Sequence, residues 1–308
     1  MSILIIGGGY LGTRLGIHLI AQQQVTVITR SLLRHEQLRR TGMQPHALDI
    51  TLPHFFFDLT PFSHIIFCPA VTADRKKTGA RHKLYVEGLA HILNLMEQQN
   101  AQARLTVIGS SSLFPNQRHS AETMGNTHLP ELFDINEEAL PNLPYTPENP
   151  TLEQYKLWEK NQSRLAVPSL YIISSGIYGP SRHPARKLIQ GLRETHSYAG
   201  QWLNLIHIDD LVQIILWSLN RKMEYPVICA TSHKPLTLQA FYSLYTSALH
   251  LPAVQFGQDL SAGYDGKRVS NKLLLSLGYN FIHPEFSARF IEEHITEITI
   301  DPTQPQGV

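Results

Sequence analysis

The chain has 308 residues, 43% hydrophobic and 17% charged, enough to bury a large core as one big domain or as a large domain with a smaller partner. Its 26 basic and 25 acidic residues leave a formal net charge of +1, so no overall field favours nucleic acid or a membrane surface. The only cysteines, Cys68 and Cys229, lie far apart in sequence, which offers no disulfide framework and suits a reducing cytoplasm.

Residues 2 to 6, "SILII", form a short apolar run that reads as a buried strand. "GGGYLG" follows, and then "TRLGIHLIAQQ" is apolar at helical spacing. "VTVIT" (25–29), "HIIFCP" (64–69), "RLTVIGS" (104–110) and "SLYIISSG" (169–176) supply further strands, separated by helical stretches such as "HKLYVEGLAHILNLMEQQN" (82–100). Strands alternating with long helices imply crossovers and a parallel sheet. After residue 176 the rhythm loosens. "HPARKLIQGLRE", "LTLQAFYSLYTSAL" and "HPEFSARFIEEH" read as helices, "LNLIHI" and "PVICAT" as short strands. The expected fold is α/β: a doubly wound parallel sheet over 1–176, with a smaller α/β second lobe over 177–308 whose 201–220 segment returns to the first domain. Residues 114–150, rich in proline and polar groups, exceed an ordinary loop and form either a lid or an ornament. The tail "DPTQPQGV" is expected to be disordered.

The N-terminal "MSILIIGGGY" has no basic region ahead of its short apolar run, and no apolar span reaches membrane length. A soluble cytoplasmic protein without nucleic-acid or membrane partners is expected, as monomer or homodimer. The basic runs "RSLLRHEQLRR" and "DRKKTGARHK" lack interleaved stacking aromatics, so they read as solvated faces. Sixteen histidines invite a metal, yet no His-Glu-x-x-His or paired Cys-x-x-Cys is present. No metal is expected.

Gly7, Gly9 and Gly12 form Gly-x-Gly-x-x-Gly between a strand and a helix. The first glycine permits a tight turn, the second lets a pyrophosphate approach the backbone, and the third lets helix pack on strand. With Tyr10 and Leu11 they form the expected dinucleotide-binding turn, whose helix N-terminus favours phosphate. The second strand ends "VTVITRS", with Arg30 and no acid. A guanidinium suits a 2′-phosphate that a carboxylate would repel, so NADP(H) is preferred and NAD(H) remains an alternative. Asp49, in "HALDIT", either accepts from the adenine amino group or forms a turn.

Together "GGGYLG", "LDI", "GSSSLFP", "SSGIYGPSRHP", "NLIHIDDLVQII" and "GKRVSNKLLLSLGY" resemble the extended and atypical short-chain dehydrogenase/reductases, the nucleotide-sugar epimerase/dehydratase family, over nearly the whole chain. The resemblance implies a Rossmann domain, a small substrate lobe, and epimerisation, dehydration or reduction of sugar nucleotides or small carbonyl compounds. It places the catalytic hydroxyl at Ser110, beside the cofactor, with Ser111 and Ser112 as close substitutes, and the catalytic tyrosine at Tyr155. Ser111, Tyr178, His207 and Arg268 are the candidate substrate residues; for His207 a structural role, and for Arg268 a helix-entry or interlobe ion pair, compete with this. Asp209 or Asp210 is expected to cap the helix that follows.

Three departures stand out. Glu159 occupies the place of the family's lysine, Phe114 and Pro115 replace its Tyr-Gly, and the 114–150 insertion is long. Four residues apart on a helix, Glu159 lies beside Tyr155 and disfavours the phenolate. A phenol with a pKa near 10 already carries an approximately 4 kcal/mol penalty for ionising at neutral pH. The sequence therefore supports two readings. One is an NADP-dependent oxidoreductase or epimerase-like enzyme that works best as a carbonyl reductase; the other is a dinucleotide-binding sensor without turnover. The competing role for Tyr155 is packing.

Overall fold

The computed structural model describes residues 2–71, 79–119, 134–144, 146, 148–185, 194–258 and 264–294. The expected tail at 301–308, most of the helix expected over 183–194, and 120–133 of the long insertion lie outside these.

Seven strands form the central sheet: β1 (Ser2–Ile6), β2 (Gln24–Thr29), β3 (Gln44–Ala47), β4 (His64–Phe67), β5 (Arg104–Ser110), β6 (Leu170–Ser174) and β7 (Val227–Ala230). Their spatial order is β7-β6-β5-β4-β1-β2-β3, all parallel. The order reverses beside β1, which creates the crevice where doubly wound sheets take their ligands. The β7 segment, expected in the small lobe, is instead the last strand of the main sheet.

Alternation along each strand supplies two cores. Leu4, Ile6, Phe67, Val107 and Ile173 face one side, under helices α3 (Gly88–Gln98) and α4 (Pro150–Asn161). Ile3, Ile5, Val27, Ile66 and Ile172 face the other, under α1 (Tyr10–Leu19), α2 (Leu32–Arg40) and α5 (Ile208–Leu219). A third cluster gathers Tyr178, Leu205, Phe286, Phe290 and Ile291 with Phe241 and Tyr245 of α6 (Leu238–Ala248). The described ends of the insertion are stitched to the C-terminal segment by backbone pairing. Gln117–His119 runs antiparallel to Tyr264–Gly266, and Asp134–Ile135 parallel to Arg268–Val269. Among the described residues no helix is long and apolar enough to cross a membrane.

Candidate functional site

The glycine turn connects β1 to α1 at the mouth of the crevice. Gly7 has φ +119°, and a Cβ there would lie 2.7 Å from the Cys68 carbonyl oxygen at the end of β4. Only glycine suits both the conformation and the approach. A Cβ on Gly12 would lie 2.0 Å from the Gly7 carbonyl oxygen, whereas one on Gly9 would meet nothing within 4 Å. Gly9 caps α1 without a side-chain hydrogen bond, and the first turn holds no acid. The amides of Tyr10, Leu11 and Gly12 therefore start a helix whose positive end faces open space, a fit for the phosphates of a dinucleotide. Cys68 packs beside the turn, where burial pushes its thiol up to about 12.

At the other side of β1, Arg30 lies 3.6 Å from Asp49, each about one-third exposed. Asp49 also accepts from the amide and hydroxyl of Thr51, at 2.9 and 2.8 Å. Burial opposes ionisation of Asp49, but the Thr51 hydrogen bonds and the Arg30 charge hold it below its ordinary value. Arg34, unmarked in the sequence reading, donates to the Gly8 carbonyl at 2.9 Å. The available signal was its place in the first turn of α2, the helix that opens directly after Arg30.

The serine turn follows β5. Ser110 caps a short 3-10 turn by accepting from the Ser112 amide at 3.2 Å. The Ser112 hydroxyl reaches Ser110 Oγ at 3.0 Å and Thr151 Oγ1 at 3.0 Å. Asn149 closes the chain, accepting from Thr151 Oγ1 at 2.6 Å and donating to the Ser112 carbonyl at 3.1 Å. Thr151, one turn before Tyr155, is thus the α4 residue joined to the serines.

Tyr155 is 4% exposed. Its ring packs between Trp158 and Tyr171, and its hydroxyl donates to Glu159 at 2.7 Å. Burial first, then Glu159, pushes the phenol well above its ordinary range. The expectation of a catalytic Tyr155 meets a side chain committed to the core. We expect Tyr155→Phe to lower stability by about 1 kcal/mol, the worth of one partly exposed hydrogen bond, and to leave any NADPH oxidation unchanged. A large loss of turnover would return Tyr155 to the chemistry.

Tyr178 is 1% exposed, with its ring against His207, Phe286 and Phe290. His207 caps α5 by accepting from the Asp209 amide at 3.2 Å, the role expected of Asp209 or Asp210. Burial, and then the neighbouring His283, lowers His207 to about 4. The imidazole is thereby held toward its neutral form, which suits its role as a cap acceptor. Arg268 grips Asp134 with two hydrogen bonds, which ties the insertion to the C-terminal segment and leaves its expected substrate role without support.

Two further groupings were not legible in the sequence. Ring nitrogens of His207 and His283 and a carboxylate oxygen of Asp209 lie within 4.8 Å of one another. Position at a helix N-terminus beside Arg14 disfavours a cation, and the His207 nitrogen already accepts an amide. The group is a hydrogen-bonded brace. Near it, Tyr10 and Arg14 both donate to the Pro180 carbonyl, at 2.8 and 3.0 Å, joining the glycine turn's helix to the Gly179–Pro180 bend. Beyond the serine turn opens a pocket of about 280 Å³ lined by Ser112, Leu113, Phe114, Pro115, Asn116, Pro144, Thr146, Asn149 and Lys267.

A model of the NAD dependent epimerase/dehydratase family matches residues 3–228. No curated protein matches the sequence. Several solved structures share the fold. UDP-glucuronic acid 4-epimerase from Bacillus cereus, in complex with UDP-glucuronic acid and NAD, is 16% identical with a TM-score of 0.70, covering 97% of this chain and 99% of that one. ADP-L-glycero-D-manno-heptose-6-epimerase from Helicobacter pylori is 16% identical with a TM-score of 0.67, covering 97% and 96%. A conserved protein of unknown function from Silicibacter pomeroyi is 18% identical with a TM-score of 0.69, covering 96% and 98%.

Proposed function

The chain belongs to the NAD-dependent epimerase/dehydratase family, and from that premise we propose that it is an NADP(H)-dependent oxidoreductase or epimerase-like enzyme acting on a small carbonyl or sugar-nucleotide substrate. The observation that carries this reading is the open space above Gly9, facing the amides that start α1. Backbone at Gly7, Gly9, Tyr10, Leu11 and Gly12 would hold the pyrophosphate. Arg30, drawn partly from Asp49, and Arg34 would hold a 2′-phosphate, with Asp49 bounding the adenine. When bound, the nicotinamide supplies or accepts a hydride. Ser110 would orient the substrate oxygen, its hydroxyl set by the chain through Ser112 and Thr151.

Titration calorimetry with NADP and NAD tests the cofactor choice. The double variant Arg30→Ala, Arg34→Ala should weaken NADP by about 10- to 100-fold, the worth of one or two charge-assisted hydrogen bonds, and change NAD by less than about threefold. Equal losses for both dinucleotides would overturn the 2′-phosphate assignment. A second reading, an NADP(H) sensor without turnover, is favoured by the commitment of the Tyr155 hydroxyl to Glu159. NADPH incubated with a carbonyl panel separates the two: Ser110-dependent consumption supports the enzyme, tight binding without consumption the sensor.

A further inference from the structure

The Tyr155 hydroxyl is committed to Glu159, so the polarity of the serine turn is set by its own hydroxyls. We propose that Ser112 is a positioning residue with a two-way hydroxyl. In one direction it makes Ser110 a hydrogen-bond donor for a substrate carbonyl, in the other an acceptor for a substrate hydroxyl. The site then holds both oxidation levels of one substrate carbon. The proposal rests on Ser110 being the residue that meets the substrate oxygen in the enzyme described above.

Proton counting carries the proposal, because a hydroxyl has one proton to donate and two lone pairs. The Asn149 amide is fixed in orientation. Its Nδ2 donates to the Ser112 carbonyl at 3.1 Å, and its Oδ1 accepts from the backbone amides of Thr151 and Leu152 at 3.2 and 3.3 Å. Turned over, it would set an NH₂ against two N–H groups. An amide oxygen only accepts, so the Thr151 hydroxyl, 2.6 Å from it, spends its proton there. Thr151 Oγ1 can then only accept from Ser112. Ser112 is left with one proton and two acceptors, Ser110 Oγ and Thr151 Oγ1, each at 3.0 Å. With the proton on Ser110, both lone pairs of Ser110 are filled, the other by the Ser112 amide at 3.2 Å. Its own O–H is left to donate to a carbonyl. With the proton on Thr151, one lone pair of Ser110 is freed for a substrate hydroxyl. Thr151 is buried at the start of α4, which keeps bulk water from competing for the second acceptor's place.

Calorimetry on the full chain uses two probes that differ only at the second carbon, hydroxyacetone with NADP bound and 1,2-propanediol with NADPH bound. In both pairs hydride transfer at that carbon is blocked. Thr151→Val keeps the shape and removes the second acceptor. It should weaken the diol by about fivefold or more, the worth of one hydrogen bond, and leave hydroxyacetone within about twofold. NADP affinity should be unchanged, and Thr151→Ser should restore the diol. Equal losses for the two probes, an unchanged diol affinity, or no binding of either probe overturns the proposal even where NADP binds. Neutron diffraction from crystals of the full chain exchanged into D₂O reads the protons directly, without substrate or cofactor. It should show the Thr151 deuteron on Asn149 and the Ser112 deuteron shared between Ser110 and Thr151, moving to Ser110 alone in Thr151→Val. A Thr151 deuteron directed at Ser112, or a Ser112 deuteron held by one acceptor in the wild type, overturns the proposal. Failure of NADP to bind overturns the enzyme reading instead, and the diffraction map still decides the role of Ser112.

Discussion

Gly9→Ala is expected to fold with wild-type stability and lose dinucleotide affinity, while Gly12→Ala loses both. The two positions lie three residues apart in one turn, yet a methyl group meets opposite surroundings. At Gly9 it enters space with no atom within 4 Å, so folding gains no clash. That space is where a pyrophosphate would approach the α1 amides, and a methyl there should weaken NADP by about tenfold or more, the loss of one charge-assisted hydrogen bond. At Gly12 the methyl would lie 2.0 Å from the Gly7 carbonyl oxygen, a backbone atom that cannot rotate aside. Either α1 lifts from β1 or the turn opens, at a cost of about 2–3 kcal/mol, as for other overpacked sites. Urea denaturation and NADP calorimetry on the two variants check this. Wild-type affinity in Gly9→Ala would show that phosphates do not bind this turn.

The same turn explains how far the sequence could be read. Gly-x-Gly-x-x-Gly carries its own meaning, because three backbone constraints act within six residues. The strands were legible for a similar reason: parallel strands covered on both faces become continuous apolar runs, such as "SILII" and "HIIF". β7 was misplaced because four residues of "VICA" carry no sign of which sheet they join; that is decided by pairing with β6. The catalytic side was harder. A tyrosine at helical spacing from Glu159 looks the same whether it faces a cofactor or the core. The contact of Thr151 with Ser112, which orients α4, spans 39 residues and a long insertion. For Arg268 an interlobe ion pair and a substrate role competed, and its partner Asp134, 134 residues away, could not be named. Local chemistry was readable, and the partners of long-range pairs were not.

The brace under the small lobe yields the other large expected effect: Asp210→Ala should lower stability by about 3 kcal/mol, as loss of a buried, multiply bonded carboxylate does. Asp210 is fully buried. One oxygen accepts from the Ile282 amide at 2.7 Å and the Tyr279 hydroxyl at 3.2 Å, the other from the His283 amide at 2.9 Å. Alanine leaves these donors facing a cavity. Burial pushes the Asp210 carboxyl above its ordinary value, and the amides of Ile282 and His283 offset part of that rise; the hydrogen bonds are therefore what make the buried group tolerable. Asp210→Asn keeps the shape but turns an NH₂ toward one of the donors, so an intermediate loss is expected. The 282–283 backbone also holds His283 against His207, ring centroids 3.7 Å apart, so releasing it loosens the packing around Tyr178. The glycine turn shares no hydrogen bond with Asp210, and NADP affinity should stay within about twofold, since sites without shared partners act nearly independently. Urea denaturation and calorimetry on the same variant measure both quantities. An Asp210→Ala protein as stable as the wild type would mean that the three hydrogen bonds do not anchor the lobe.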